Sequence, residues 1–391
     1  MKTALPGVPP THTDERFMAR ALRLAARGLG ETNPNPVVGC VVVREGRVVG
    51  EGHHARAGGP HAEVVALARA GARARGSTLY VTLEPCAHQG RTPPCVPQIL
   101  SAGVRRVVAA LPDPDPRVDG RGLSRLRRAG LQVTTGVLGV EALLLNERFV
   151  VSARAGRPFV LLKSGLTLDG RLATANGESK WITSPAQRRQ ARSLRRLHDA
   201  VLVGIGTVLA DDPLLLPVPG VKRPFLRVVL DSHLRLPPAG RLVRSARRFP
   251  LLVLCREADP GRRRRLEARG VRVVSQPGAR SRVSLPWALA TLWTRGIRSL
   301  MVEGGSEVLG AFLAARSVDA VALFRAPLLL GGRHGRPAFG GPDPTRLRQA
   351  LRLSPESPLR RGRTVDPSLP GPWPEPRLFE LWYPRREGAR D

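Results

Sequence analysis

Two short segments of this sequence carry side chains that could bind a metal and move a proton. The segment PHAE contains His61 and Glu63, and the segment EPC ends at Cys86, with eight residues between Cys86 and Cys95. One imidazole and two thiolates are three ligands of a tetrahedral Zn²⁺ and leave its fourth position to water, as in catalytic zinc sites. Zinc lowers the pKa of such a water toward ~7. We therefore expect a catalytic zinc site on His61, Cys86 and Cys95, with Glu63 beside the metal as the proton carrier.

The elements that must position these side chains are predicted to meet at junctions between strands and helices. Pro60 suits the first turn of a helix, so His61 lies at a helix N-terminus. Cys86 follows a strand, and Cys95 opens a short helix, where the partial positive charge of the N-terminus favours thiolate over thiol. A structural zinc is the alternative, but it would require a fourth protein ligand. The three elements are predicted over residues 61–74, 77–83 and 96–102.

The order of these residues resembles the zinc-dependent cytidine-deaminase superfamily, whose signature is His-x-Glu followed by Pro-Cys and a third ligand. That signature usually ends in Pro-Cys-x-x-Cys, whereas this chain has the longer segment TLEPCAHQGRTPPC. The longer form, together with NPNPVVGCVVV and RAGGPHAEV, is similar to the pyrimidine deaminase of riboflavin biosynthesis. The resemblance implies that the aminopyrimidine and its ribose phosphate bind against Asn35, His54, His88 and Arg91–Thr92.

Charged side chains also follow apolar strands in the second half of the chain. Lys163 ends one such strand, the pair Asp211-Asp212 follows another, and Glu303 ends a third just before a helix. The carboxyl ends of strands in an open α/β sheet face the usual ligand crevice, so we expect these groups to converge there. The alternative for Lys163 is that its ammonium group simply extends to solvent. Gly304-Gly305, between strand and helix, can present free backbone N–H groups to a pyrophosphate.

Four segments of this half, LTLDGRLAT, GESKWITS, GTVLADDP and VEGG, resemble the riboflavin-pathway reductase, a dihydrofolate-reductase-like domain that uses NADPH. The resemblance implies catalytic roles for Lys163, Asp211 and Glu303, with Lys163 polarising or orienting the sugar end of the substrate. It implies substrate binding by Ser179, Arg195, Leu215 and Glu303. It implies NADPH binding by Gly165, Trp181, Thr207, Asp211, Ser232, Gly305, Ser306, Glu307, Val308, Leu309, Gly310 and Ala311.

One departure from the reductase family concerns the substrate phosphate. Where the family usually reads Leu-Thr-Val-Arg shortly after DDP, this chain reads LLPV at residues 215–218, with Val218 at the position of the arginine. Lys222 or Arg223 could take that role from a few residues away. The departure keeps open a second interpretation of this half, a nucleotide-binding domain that has lost its reductase activity.

The alternation of apolar strand patterns with helical patterns predicts an α/β fold with two domains. Residues 1–147 are expected to form a three-layer domain, cytidine-deaminase-like by resemblance, that binds zinc. Residues 148–391 are expected to form a dihydrofolate-reductase-like α/β domain that binds NADPH. The stretch NERFVVSARAGR is interpreted as the connection between them, and the Pro- and Arg-rich residues 341–375 as a surface loop. The first predicted helix, residues 14–29, buries Phe17, Ala21, Leu22, Leu24 and Ala25.

The formal net charge of +32 is the anomaly of the composition. Such an excess usually indicates a nucleic-acid or acidic partner. Only four basic residues are lysines, however, and this near-exclusive use of arginine fits a GC-rich genome better than a surface selected for phosphate. Aromatic residues, at 4%, are also sparse for a protein that stacks on bases. We expect an enzyme that takes a small-molecule substrate, binds neither nucleic acid nor membrane, and forms a homo-oligomer.

The four cysteines and the N-terminal sequence indicate a cytoplasmic protein. Four cysteines in 391 residues do not form a disulfide scaffold, so the thiols are expected to be reduced and free to bind metal. The N-terminus lacks the apolar core of a signal peptide. No run of residues approaches the ~20 apolar positions that a membrane span requires.

The two resemblances together predict a bifunctional enzyme of riboflavin biosynthesis. The first activity is zinc-dependent deamination of 2,5-diamino-6-ribosylamino-4(3H)-pyrimidinone 5′-phosphate. The second is reduction by NADPH of the ribosyl chain of 5-amino-6-(5-phosphoribosylamino)uracil to a ribityl chain. The alternative is a nucleic-acid deaminase acting on tRNA with an appended nucleotide-binding domain, which would share the zinc chemistry and match the charge.

Overall fold

The protein divides into two compact units. The first unit consists of residues 1–154 and 359–373, and the second of residues 155–358 and 374–391. The first boundary falls after residue 154, where residue 147 was expected, because residues 147–155 form one helix. The chain also returns to the first unit over residues 359–373. The computed structural model describes residues 11–87, 93–115, 119–221, 223–256, 258–278, 281–360 and 363–385.

A mixed sheet of five short strands forms the centre of the first unit. The strands are β1 (Gly39–Arg44), β2 (Arg47–His53), β3 (Thr78–Val81), β4 (Arg106–Ala109) and β5 (Gln132–Thr135). Their order across the sheet is β2-β1-β3-β4-β5. β1 is antiparallel to β2 and β3, whereas β3, β4 and β5 run parallel. The central strands are rich in valine, as suits strands buried on both faces.

Helices cover both faces of this sheet, which confirms the predicted three-layer domain. Val41 and Val43 of β1 face one core with the first helix, and Cys40 and Val42 face a second core on the opposite side. Alternate residues of a strand point to opposite faces, so the two cores lie on the two sides of the sheet. The helices are α1 (His12–Ala26), α2 (Ala62–Ala70), α3 (Cys95–Ser101), α4 (Arg121–Arg128), α5 (Gly139–Leu145) and α6 (Glu147–Ala155).

The second unit contains a nine-stranded sheet and a small two-stranded one. The nine strands are β6 (Phe159–Thr167), β8 (Ala200–Gly204), β9 (Leu226–Leu230), β10 (Leu251–Cys255), β11 (Arg272–Ser275), β12 (Ser299–Val302), β13 (Ala320–Ala326), β15 (Leu353–Ser354) and β16 (Glu380–Pro384). Their order is β11-β10-β9-β8-β12-β6-β13-β16-β15. The seven strands from β11 to β13 are parallel, and β16 is antiparallel to both of its neighbours. The small sheet pairs β7 (Arg171–Ala173) with β14 (Arg336–Pro337).

Two apolar cores flank the parallel strands of the second unit. Val201 and Val203 of β8 face one core, whereas Ala200 and Leu202 face the other. Among the described residues, no helix is long and apolar enough to cross a membrane. The helices are α7 (Pro185–Arg196), α8 (Ile205–Asp211), α9 (Arg241–Arg244), α10 (Pro260–Glu267), α11 (Leu285–Thr294) and α12 (Ser306–Ala314).

Two predictions about connecting segments are wrong. The stretch NERFVVSARAGR is not an irregular connection, since most of it forms α6, with Val150 and Ser152 buried. Residues 341–375 are not simply a surface loop, because they contain β15 and bury Leu369 and Trp373 at 8% exposure. The buried side chains of this stretch are spaced irregularly, so neither a helix nor a strand period reveals them.

Candidate active sites

The three predicted zinc ligands lie at two helix N-termini and one turn. His61 is the N-cap of α2, Cys86 lies in the turn that follows β3, and Cys95 is the first residue of α3. The Cys86 carbonyl oxygen accepts hydrogen bonds from the N–H groups of Cys95 and Val96, at 3.1 and 3.2 Å. These N–H groups are among those that a helix start leaves unpaired. The bonds therefore tie the turn to α3 and keep the two cysteines close together.

The ligand atoms of these side chains form a compact cluster. The His61 Nδ1 atom lies 3.1 Å from Cys95 Sγ and 3.6 Å from Cys86 Sγ, and all three ligand atoms lie within 4.8 Å of one another. One nitrogen and two sulfur donors at such separations suit a tetrahedral zinc ion with one open position. In the part of the chain that the structure describes, no other three His, Cys, Asp or Glu side chains come together in this way.

The surroundings favour a thiolate at Cys86. A hydrogen bond from the Cys95 thiol, together with one from the His61 ring, lowers the pKa of Cys86 to about 4. The same Cys86 sulfur raises the pKa of Cys95 and of His61 by accepting their hydrogen bonds. Cysteine binds zinc as the thiolate. The cluster thus favours the thiolate form that zinc requires.

Glu63 is buried beside the cluster. It lies in the first turn of α2, and only 3% of the residue is exposed. Burial raises the pKa of its carboxyl group, while the charge on His61 and a hydrogen bond from the Cys95 thiol act in the opposite direction. A carboxyl group whose pKa is raised toward neutrality can both take up and release a proton at working pH.

Two of the predicted pocket residues, Asn35 and His54, lie next to the cluster. The His54 and His61 rings meet edge to face with centroids 5.6 Å apart. His54 Nδ1 lies 3.0 Å from the Pro60 carbonyl oxygen, and its Nε2 lies 3.3 Å from the Asn35 side-chain nitrogen. Burial lowers the pKa of His54, so the ring is neutral, with Nδ1 donating to Pro60 and Nε2 accepting from Asn35. His88 and Arg91–Thr92 lie outside the described residues.

In the second unit, Glu303 joins Lys163 to Arg195. The Arg195 guanidinium donates two hydrogen bonds to the Glu303 carboxylate, at 2.5 and 3.0 Å. The Lys163 Nζ atom lies 3.9 Å from the same carboxylate. Arg195 also donates to the Leu216 carbonyl at 2.7 Å, next to the predicted substrate residue Leu215. One buried carboxylate therefore holds two cations and, through Arg195, the loop that contains Leu215.

The charges of this group depend on one another. Burial alone raises the pKa of Glu303, but the Arg195 and Lys163 cations lower it overall. Burial lowers the pKa of Lys163, and Glu303 opposes that shift. Lys163 does not end its strand as predicted, because β6 continues to Thr167 through its pairing with β13. The Lys163 ammonium also lies 5.5 Å from the centroid of the Phe324 ring of β13, a cation–π distance.

The predicted cofactor residues Ser306 to Ala311 lie in the first turns of α12. The N-cap of this helix is Gly305, and no side chain caps it. The Gly305 N–H group donates to the Thr207 hydroxyl oxygen at 3.0 Å, which joins two predicted cofactor residues. Uncapped N–H groups at a helix start, beyond the carboxyl end of a parallel strand, form an anion site. The arrangement fits the pyrophosphate of NADPH.

Asp211 bonds to a different lysine, Lys180. Its carboxylate lies 3.1 Å from the Lys180 ammonium group. The adjacent Trp181 is 69% exposed, with the Arg188 guanidinium 4.2 Å from its ring centroid. Of the three charged groups expected to converge, Lys163 and Glu303 contact each other, and Asp211 pairs with Lys180.

The other predicted reductase residues, Gly165, Ser179 and Ser232, have contacts with residues outside the Lys163–Glu303 group. Gly165 lies so close to Thr183 that a Cβ there would be 2.9 Å from the threonine methyl group. The Ser179 carbonyl accepts a hydrogen bond from Ile182, and the Ser232 hydroxyl accepts one from Val283, both at 3.1 Å. Among the described residues, no hydrogen bond joins either serine to Glu303.

Two residues that support these sites were not singled out from the sequence. Glu84 was noted only as part of the EPC segment, yet its buried carboxylate accepts four backbone hydrogen bonds. An acidic residue three positions after the strand TLYV, in a run of buried residues, is the signal that could have found it. Lys180 pairs with Asp211. Its signal was its rarity, since it is one of four lysines in an arginine-rich chain.

Two family models match separate parts of the chain. Residues 11–111 match the cytidine and deoxycytidylate deaminase zinc-binding region, and residues 158–359 match the RibD C-terminal domain. The first match contains the cluster of His61, Cys86 and Cys95. The second contains the Lys163–Glu303 pair and the start of α12.

Proteins similar along most of this chain agree with both matches. The chain is 45% identical over 332 residues to the riboflavin biosynthesis protein RibD of Escherichia coli, covering 81% of this chain and 89% of that one. The RibD of Aquifex aeolicus is also 45% identical, over 320 residues, with 81% and 88% covered.

Solved structures show the same similarity. RibD of Acinetobacter baumannii has a TM-score of 0.79 at 38% identity, covering 87% of this chain and 94% of that one. The diaminohydroxyphosphoribosylaminopyrimidine deaminase/5-amino-6-(5-phosphoribosylamino)uracil reductase of Thermotoga maritima has a TM-score of 0.77 at 34% identity, covering 96% and 99%. The chain therefore belongs to the RibD family, the bifunctional enzymes of riboflavin biosynthesis that join a zinc-dependent deaminase to an NADPH-dependent reductase.

Proposed function

We propose that the two units act in sequence on one pyrimidine ribotide. The first converts 2,5-diamino-6-ribosylamino-4(3H)-pyrimidinone 5′-phosphate and water to 5-amino-6-(5-phosphoribosylamino)uracil and ammonia. The second reduces the ribosyl chain of that product to a ribityl chain. The single observation that carries the proposal is the buried carboxyl group of Glu63 beside one imidazole and two thiols at zinc-ligand separations. The name of the similar Thermotoga maritima enzyme describes the same two activities.

The side chains of the first unit divide the deamination among them. His61, Cys86 and Cys95 hold the zinc ion, because one imidazole and two thiolates are its preferred donors. Zinc, when bound, supplies an activated water for displacement of the 2-amino group. Glu63 carries protons, delivering one to the ring nitrogen and one to the departing ammonia. The neutral His54 is fixed next to this group and presents the pyrimidine with an uncharged wall.

The side chains of the second unit orient the sugar and the cofactor. NADPH, when bound, supplies the hydride to C1′ of the opened ribose. The N–H groups that start α12 hold its pyrophosphate, and Thr207 fixes Gly305 at that start. Lys163 polarises or orients the sugar end of the substrate. Glu303 keeps Lys163 charged despite its burial and aligns Arg195.

The substrate phosphate needs a cation that replaces the arginine absent at Val218. The structure disfavours Arg223, whose guanidinium donates to the carbonyl oxygens of Arg196, His198 and Pro224. Only 6% of the Arg223 side chain is exposed, so it is committed to the fold. Lys222, which lies outside the described residues, is the candidate that we retain.

The finer assignments of partner and location are also proposals. We place the enzyme in the cytoplasm, where a reducing environment keeps cysteine ligands available for zinc. We expect a homo-oligomer, since Leu168, Leu328 and Leu329 of the second unit are 42–68% exposed and such apolar groups suit a contact with a second copy. Light scattering on the purified chain tests the oligomer. We expect no nucleic-acid partner, and filter binding at several salt concentrations tests this.

Complementation tests the proposed function as a whole. The chain should restore growth without riboflavin to a bacterial strain that lacks both the deaminase and the reductase. A tRNA deaminase with an appended nucleotide-binding domain would not restore growth, and it would bind RNA tightly with a steep salt dependence. A chain that has lost its reductase activity would restore a strain lacking the deaminase alone but not one lacking both.

A further inference from the structure

We propose that Glu84 is a positioning residue of the zinc centre, because its carboxylate fixes the turn that carries Cys86. The proposal rests on the zinc site of the proposed function. Glu84 lies two residues before Cys86 and three residues after the end of β3, and only 4% of it is exposed. It does not belong to the ligand cluster, and its oxygens are occupied by backbone N–H groups. Its effect on the metal must therefore pass through the backbone.

Each oxygen of the Glu84 carboxylate accepts two backbone hydrogen bonds. Oε1 accepts from Gly122 at 2.8 Å and from Leu123 at 3.2 Å, at the start of α4. Oε2 accepts from Gly120 at 2.8 Å and from Asp113 at 3.1 Å. Four bonds fill the accepting capacity of a carboxylate, and bonds to a charged acceptor are the strong ones. The carboxylate thus anchors the turn to α4 and to the loop before it.

The next two residues of the turn are held from other directions. The Pro85 carbonyl oxygen meets Gly122 so closely that a Cβ on this glycine would lie 2.0 Å from it. The Cys86 carbonyl oxygen accepts from the Cys95 N–H group at the start of α3, at 3.1 Å. Three consecutive residues of the turn are therefore fixed by contacts with α3 and α4. These contacts determine where the Cys86 sulfur lies relative to the other two ligands.

Removing the contacts that fix this turn should lower the affinity for zinc. Groups that orient a ligand without touching the metal change metal affinity by about 10–100-fold when they are removed. The chain offers a matched control in Asp14, another buried carboxylate of the same unit, at 1% exposure. Asp14 bonds to Arg106 at 2.8 and 3.0 Å and to Tyr80 at 2.9 Å, away from the turn. Its loss should destabilise the unit without moving Cys86.

The experiment measures the rate at which the full-length, zinc-loaded protein releases zinc into an excess of a chelating dye. Glu84→Gln removes half of the acceptors. Gly122→Ala keeps the glutamate but pushes the same turn, because the added Cβ would lie 2.0 Å from the Pro85 carbonyl oxygen and 3.1 Å from Glu84 Oε1. We expect both variants to release zinc at least tenfold faster than the wild type. Asp14→Asn should stay within threefold of the wild type, although it melts at a lower temperature. Thermal melting followed by circular dichroism shows whether the first unit of each variant is folded, since reductase activity reports only on the second unit.

Three results would overturn the proposal. The first is wild-type release from both Glu84→Gln and Gly122→Ala. The second is equal acceleration by Asp14→Asn, which would make the effect one of general stability. The third is a wild-type protein that takes up no zinc, which would contradict the zinc site itself and so is distinguishable from the other two. If Glu84→Gln does not fold, Gly122→Ala decides between the outcomes alone.

Discussion

The zinc centre and the reductase site differ in how far apart their residues lie along the chain. The zinc ligands and Glu63 fall within residues 61–95, whereas the reductase group joins Lys163, Arg195 and Glu303 across three separate elements. A metal demands particular donor types at short spacings, so local sequence reveals it. Charge partners brought together by a parallel sheet have no fixed spacing, so the sequence reveals the strands but not the pairs.

The two sites also differ in how charge is balanced. The zinc centre concentrates thiols and one raised-pKa carboxyl group around a position for a cation. The reductase site supplies its own cations, and a single carboxylate neutralises two of them. Loss of one acid in the first site should stop proton transfer, while loss of the acid in the second should leave two partly buried cations without their partner.

The largest expected effect is that of Glu63→Gln on deamination. The amide cannot carry a proton, so ammonia release should fall by about 10³-fold or more. Zinc content should stay at the wild-type value, because Glu63 is not a ligand. The rate of NADPH oxidation on pre-deaminated substrate serves as the internal control. Ammonia release within tenfold of the wild type would remove Glu63 from the mechanism.

A smaller effect is expected for Glu303→Gln on reduction. Lys163 and Arg195 lose their shared negative charge, and we expect kcat of the reductase to fall about 10²-fold. The matched control is Asp319→Asn, which breaks another carboxylate–guanidinium pair of the second unit, with Arg157 at 2.6 and 2.9 Å. Steady-state NADPH oxidation compares the two. Equal losses in both variants would reduce Glu303 to a structural residue.

A substitution in residues 359–373, which we call the return segment, should destabilise the first unit and leave the second unchanged. Trp373 is 8% exposed, donates to Glu147 at 3.3 Å and lies under the Arg148 guanidinium. Trp373→Ala should destabilise the first unit by about 3 kcal/mol, the lower end for a buried tryptophan. Heat should then inactivate the deaminase earlier than the reductase.

A matched substitution in the second unit should have the opposite effect on the two activities. Trp382→Ala, in β16 of the second unit, should make the reductase the more heat-sensitive activity. Residual activities after timed heating check both variants. If Trp373→Ala lowers both activities together, the return segment does not belong to the first unit alone. Deleting residues 1–154 to isolate the reductase should expose Leu369 and Trp373, because these side chains are buried in the first unit. Residues 359–373 should therefore be removed as well.

The pH dependence of the reductase should reflect Lys163. Burial lowers the pKa of this lysine below its ordinary 10.5, so its charge is lost at a lower pH than that of an exposed lysine. If the charged form is the active one, kcat should fall about tenfold per pH unit above that lowered pKa. Lys163→Arg should move this fall in kcat to higher pH, because arginine stays charged. If kcat of Lys163→Arg falls at the same pH as that of the wild type, another group causes the fall.

The smallest expected effect concerns the substrate phosphate. Lys222→Ala should raise the reductase KM about tenfold with little change in kcat, because a phosphate contact supports binding before and during the reaction alike. Val218→Arg in the same background should restore the KM by returning the family's arginine. Initial rates over a range of substrate concentrations separate KM from kcat. A KM unaffected by Lys222→Ala would show that another cation holds the phosphate.

Local sequence was sufficient for most elements that carry chemistry. The strand at residues 132–135 and the helix that begins at Pro185 lie where their patterns predict. The helix α6 was missed because its charged residues and terminal glycine resemble a connection. The burial of Trp373 was missed because its partners, Glu147 and Arg148, lie more than 200 residues earlier. Contacts of such sequence separation leave no periodic trace.

The residues of the candidate sites also divide into those that local sequence reveals and those that depend on distant contacts. The types and order of His61, Cys86 and Cys95 were enough to predict their cluster, since a metal site requires these donors to lie together. The pairing of Asp211 with Lys180 was not predictable, because several cations were available to that carboxylate. Four backbone donors converge on Glu84 only after α4 and its preceding loop have folded against the turn.

The most direct test of the two-step account follows ammonia and NADPH together in one reaction. The zinc-loaded enzyme is supplied with 2,5-diamino-6-ribosylamino-4(3H)-pyrimidinone 5′-phosphate and NADPH, beside the Glu63→Gln variant. We expect the wild type to release one ammonia for each NADPH oxidised. The variant should do neither, yet oxidise NADPH at the wild-type rate when given the deaminated pyrimidine. NADPH oxidation by Glu63→Gln on the diaminopyrimidine itself would contradict the order of the two steps.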